Sequence, residues 1–108
     1  LHSHTHSFPT RRSSDLSFAD DAYIFDKSQV KQISLLNEKG EPHVTVEFKT
    51  PAVGVWNPGN HAPFVCIEPW FGTCDWAEYT GEFKDKYMMN SLQPGASFMS
   101  EYIIRIEK

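Results

Sequence analysis

The run Ala62-Pro63-Phe64-Val65-Cys66-Ile67-Glu68-Pro69-Trp70-Phe71-Gly72 constrains this chain more than any other segment. Four apolar residues, Phe64 to Ile67, lead straight into a carboxylate, a proline and two aromatics. A short apolar run bounded in this way reads as a buried strand. Proline has no backbone N–H to give to a sheet ladder, so the strand is expected over Phe64–Glu68 and to end at Pro69. Glu68 would then stand at a strand end, half out of the core, beside Trp70 and Phe71. A carboxylate placed there loses part of its water, a condition that suits it to proton transfer. Flat aromatics alongside match the apolar faces of a sugar ring. The segment reads as a sugar site.

The rest of the chain alternates strand and turn patterns. Tyr23-Ile24-Phe25 is a short apolar strand after the acidic pair Asp20-Asp21. Gln29 to Leu36 places Ile33 and Leu35 on one face, and Asn37-Glu38-Lys39-Gly40 is a turn cluster. His43 to Phe48 alternates cleanly, with Val44, Val46 and Phe48 expected inward and Thr45 and Glu47 outward. These two strands read as a hairpin. Pro51 to Trp56 is a further strand closed by Asn57-Pro58-Gly59-Asn60, and a polar, aromatic loop is expected from Trp70 to Asp85. Tyr87-Met88-Met89 fits a turn or a short strand. Gln93-Pro94-Gly95 turns the chain into a last strand, Phe98 to Glu107, with Phe98, Tyr102, Ile104 and Ile106 on one face. No segment carries a defensible helix pattern. The fold class is all-β and antiparallel.

The first sixteen residues stand apart. His6-Ser7-Phe8-Pro9-Thr10-Arg11-Arg12-Ser13-Ser14-Asp15-Leu16 resembles the conceptual translation of a common short-read sequencing adapter, and Leu1 to Thr5 fit its upstream portion. Residues 1–16 are therefore expected to be non-native and disordered, with 17–108 as the native domain. The competing reading of His2, His4 and His6 is a metal-chelating tract. Setting the segment aside leaves 92 residues. Without Arg11, Arg12 and Asp15, the ten basic and fourteen acidic residues fall to eight and thirteen, and the balance moves from −4 to −5.

A mildly acidic chain without a basic stripe argues against nucleic acid or an anionic membrane as partner. No apolar run approaches the roughly twenty residues that span a bilayer. Cys66 and Cys74 lie outside any CxxC spacing and read as free thiols of a reducing, cytoplasmic compartment. Together with His43 and His61 they show no recognisable metal spacing, so no metal is expected. A chain of this size folds alone only if its sheet edges are closed or covered. Its first strand lacks an obvious partner, so the expectation is the C-terminal piece of a larger β-sandwich, with an exposed edge and poor solubility.

The core of the opening segment, Phe64-Val65-Cys66-Ile67-Glu68-Pro69-Trp70, with Gly54-Val55-Trp56 upstream, resembles the C-terminal signature of aldose 1-epimerases. More narrowly, it is similar to the LacX-like branch of these galactose mutarotase-type proteins. Asp21-Ala22-Tyr23-Ile24-Phe25, Asp85-Lys86 and Leu92-Gln93-Pro94-Gly95 follow the family order, so the resemblance covers Asp20 to Glu107. It implies an antiparallel β-supersandwich, of which this chain would hold the C-terminal strands. It also implies mutarotation, the exchange of α and β anomers of a free hexose or derivative, without a cofactor.

Anomer exchange needs a base to take the proton of the C1 hydroxyl and an acid to protonate the ring oxygen. By resemblance Glu68 occupies the base position; read locally, it is equally a strand-end glutamate bonded to nearby backbone. Asp21, or Asp20 immediately before it, resembles the family's acid that bonds sugar hydroxyls; read locally, either is equally a turn acid at a strand start. Trp70 and Phe71 are candidates for lining the sugar cleft, and His61, in a Gly-Asn-His loop, for touching substrate. The acid histidine would lie upstream of Ser17, so this chain alone is expected to be inactive. The alternative is a carbohydrate-binding β-sandwich that turns nothing over, since a shared fold does not fix activity. The oligomeric state is not legible.

Overall fold

A computed structural model describes residues 22–108. They form six strands, β1 (Tyr23–Phe25), β2 (Gln32–Leu36), β3 (Pro42–Phe48), β4 (Ala52–Trp56), β5 (Cys66–Trp70) and β6 (Tyr102–Ile106), and one 3-10 turn at Phe83–Asp85. The strands make two antiparallel sheets, in the orders β2-β3-β6 and β1-β4-β5. The all-β, antiparallel expectation holds, and the arrangement is that of a β-sandwich.

The β2–β3 hairpin follows from its turn chemistry. The Asn37 side-chain oxygen accepts the N–H groups of Lys39 at 2.9 Å and Glu41 at 3.0 Å. Gly40 takes φ +79°, a conformation that a Cβ would strain. Between β3 and β4 the chain crosses from one sheet to the other through Lys49–Pro51. Thr50 pins that crossing by donating its hydroxyl to the Ala52 carbonyl at 2.7 Å. Ser28 N–H bonds the Pro51 carbonyl at 2.9 Å, which ties in the β1–β2 connection.

The crossing brings the two central strands together. Val46 and Phe48 of β3 and Val53 of β4 are buried, with Phe25, Val30, Ile33 and Ile67 packed around them. Burying side chains of this kind stabilises by about 1.5–3 kcal/mol each. In β5 the strand alternation points Ile67 at this core and sends Cys66, Glu68 and Trp70 to the outer face.

Three expectations need correction. Thr45, placed outward by alternation, is buried at 2 % exposure, and it shares a 2.8 Å hydrogen bond with the Ser34 hydroxyl. Its face is polar yet covered, because Ser34 and Arg105 flank it in register on the neighbouring strands. The strand around Glu68 runs over Cys66–Trp70 rather than Phe64–Glu68. Pro69 does not end it: β5 pairs only with β4 among the described residues, and an edge strand tolerates a missing N–H. The last strand begins at Tyr102, and Phe98 instead packs edge-on against Phe71, with ring centroids 5.0 Å apart.

Candidate functional site

The outer face of the β1-β4-β5 sheet is built by register. Ile24 pairs with Gly54, and Gly54 with Glu68, so these three form one row across the sheet. Trp70 stands one place along, opposite Ala52, on the same face as Glu68. Ala52 is 2 % exposed and Gly54 is buried, so two small residues make the floor beneath the larger ones.

The Trp70 indole uses that floor. A Cβ on Gly54 would come 2.6 Å from its Cζ2, closer than real contacts allow, and a tight 3.0 Å from its Cη2. In this position the indole Nε1–H donates to Glu68 Oε2 at 3.2 Å. Both residues are half-buried. The N–H offsets part of what the carboxylate loses in leaving water. Oε1 carries no hydrogen bond among the described residues.

The loop that feeds β5 is fixed by Asn57, which is 1 % exposed. Its amide N–H₂ donates to the carbonyls of Ala62, at 3.4 Å, and Phe64, while its oxygen takes the Gly59 N–H at 2.7 Å. Holding those two carbonyls keeps 62–65 out of the ladder, which explains the late start of β5. Asn57 and Gly54 are the positioning residues that the sequence reading missed. The Asn-Pro-Gly-Asn cluster marked the turn, and a glycine inside a strand pattern was the signal for a close approach.

The other candidates fall out differently. His61 is exposed in the same loop, with φ +58°, and no hydrogen bond or ion pair joins it to Glu68 among the described residues. Phe71 follows β5, half-buried; its carbonyl accepts the Asn90 side-chain N–H at 2.9 Å. Asp21 lies outside the described residues. The structure thus brings Glu68 and Trp70 together, sets Phe71 beside them in sequence, and leaves His61 apart.

A second aromatic group closes the loop after β5. Trp76 stacks on Tyr87, with centroids 5.7 Å apart, and Lys86 pairs with Asp75 at 2.6 Å. The Tyr87 hydroxyl donates to Asp26 at 3.0 Å, and this bond to a carboxylate, with some desolvation, holds the phenol above its usual pKa. Asp26 follows β1 directly, so this group ties the loop back to the strand beside β4. A shallow groove elsewhere, lined by Val30, Lys31, Phe48 and Tyr102 among others, includes none of the expected sugar-contacting residues. Cys66 and Cys74 are free thiols. No helix among the described residues is long and apolar enough to cross a membrane.

Comparison with known proteins finds similarity to protein LacX of Lactococcus lactis subsp. lactis, in its chromosomal and plasmid forms. Each is 26% identical over 110 residues, covering 98% of this chain and 37% of the relative. The chain therefore spans a little over a third of the length of these curated relatives, and the matched stretch reaches into residues 1–16. No family model and no solved structure matches.

Proposed function

We propose that this chain carries the base half of an aldose 1-epimerase-type site acting on a free hexose or derivative. Glu68 takes the proton from the C1 hydroxyl, and the C1–O5 bond opens as an acid protonates the ring oxygen. The aldehyde rotates and the ring closes on the other face, returning the proton. The acid is a histidine supplied from outside 17–108, since His61 stands in a solvated turn and His43 is exposed on β3. Trp70 and Phe71 flank the sugar, and Asp21 bonds its hydroxyls. No cofactor enters these steps, and the free cysteines fit a cytoplasmic setting.

One observation carries this reading. Glu68 is half-buried, held through one oxygen by an aromatic donor, with its other oxygen carrying no hydrogen bond among the described residues, on an outer sheet face. That is what a positioned base needs. The LacX similarity supports the same reading from the sequence side. The test is Glu68→Gln in the full-length protein, followed by polarimetry of fresh α-glucose and α-galactose. The variant should lose about 10²- to 10⁴-fold in rate while still binding sugar. A full-length parent that binds sugars but never accelerates mutarotation would make this a carbohydrate-binding module instead.

A further inference from the structure

We propose that Trp70 is the positioning residue for Glu68, and that Gly54 exists as glycine to admit it. The proposal rests on Glu68 being the base. A carboxylate on a glutamate side chain turns broadly about its last torsion, so an untethered Glu68 would present either oxygen in many orientations. The indole offers a single donor and no acceptor. By binding Oε2 at 3.2 Å it fixes the carboxylate plane and leaves Oε1 as the oxygen that meets the substrate hydroxyl.

The arrangement depends on three strand positions. Glu68 and Trp70, two residues apart on β5, share the outer face, and Pro69 between them faces the core side opposite Val53. Gly54 sits opposite Glu68, and the indole lies across the space that any side chain there would fill. Alanine at 54 would push the ring by several tenths of an ångström at least, away from the carboxylate it serves. A tryptophan that only lined a sugar cleft would need neither the N–H nor the empty floor at 54.

The test uses the full-length protein. First, the indole ¹⁵N–¹H resonance of Trp70, assigned by its disappearance in Trp70→Phe, is compared between parent and Glu68→Gln. Loss of a charged acceptor should move it clearly while the Trp56 and Trp76 indole signals stay in place. Second, Trp70→Phe keeps a ring on the floor but removes the N–H. Its kcat should fall about ten- to a hundred-fold with KM changed less than about two-fold, the signature of a misaimed base. Gly54→Ala should lose kcat similarly, and the two changes together should cost little more than either alone. An unmoved indole signal, or a Trp70→Phe protein with full kcat, overturns the positioning role while Glu68→Gln still tests the base. A Glu68→Gln protein with full rate overturns both.

Discussion

Val46 and Ile104 stand side by side in register on one face of the same sheet, yet Val46 is 7 % exposed and Ile104 57 %. Phe48 and Tyr102, the pair at the end of that ladder, repeat the contrast. β6 (YIIRI) is the more apolar of the two strands, so apolarity does not separate them; among the described residues β3 is bonded on both sides and β6 only to β3, at the sheet edge. The layer above differs as well. Val53, Phe25 and Ile67 of the second sheet reach β3 and leave β6 largely uncovered. A strand's own residues specify that it forms a ladder; the neighbouring sheet decides how much of the ladder becomes core.

The largest effect that could break this comparison is truncation at its covered end. Phe48→Ala should cost about 3–5 kcal/mol by urea denaturation, because the cavity lies where the sheets meet. Ile104→Ala, on the same face one strand away, should stay within about 0.5 kcal/mol. Equal losses would mean that β6 is as much core as β3. Ile104→Lys should also improve the solubility of the 108-residue chain, since an apolar edge strand invites pairing with other copies.

A smaller effect sharpens the contrast on the opposite face. Thr45 is buried there among polar neighbours, so Thr45→Val would keep the volume and strand the Ser34 hydroxyl at the 2.8 Å contact. A loss of about 1 kcal/mol in the same denaturation series is expected. A neutral or stabilising result would show that this face is closed by packing alone.

These contrasts also show which parts of the structure the sequence revealed. Tyr23–Phe25, the β2–β3 hairpin and the strand through Trp56 were readable because alternation and turn residues act locally. Thr45 was misread because alternation assigns a side and says nothing about what covers that side. The start of β5 depends on Asn57 capturing two carbonyls several residues ahead, an interaction that no strand pattern encodes. At the site, Glu68 was visible as a carboxylate closing an apolar run. Its bond to Trp70 required knowing that Gly54 lies opposite, which is a matter of register between strands. The first strand, expected to lack a partner, instead pairs along its length with β4, and among the described residues β6 is an edge bonded only to β3.

The smallest effect belongs to the charged face of β6, and pH isolates it. Arg105 bonds Glu47 at 2.7 Å across the ladder and Glu107 at 2.8 Å along the strand. The Arg105 hydrogen bond, helped by one from Thr45, holds the Glu107 carboxyl below its ordinary value of 4.5. A carboxyl whose folded pKa is depressed stabilises the fold above its unfolded pKa, and that contribution fades as pH falls through the folded value. Arg105, itself raised by the same partners, stays charged throughout and adds no slope. The melting midpoints of the parent and Glu107→Gln should therefore differ by a constant, small amount near neutral pH. Below about pH 4.5 the difference should shrink, and added salt should shrink it at every pH because the pair is open to solvent. A gap that widened on acidification would mean that Glu107 is held by something other than Arg105. The open side of this sheet would then carry more of the fold than the exposed isoleucines beside it.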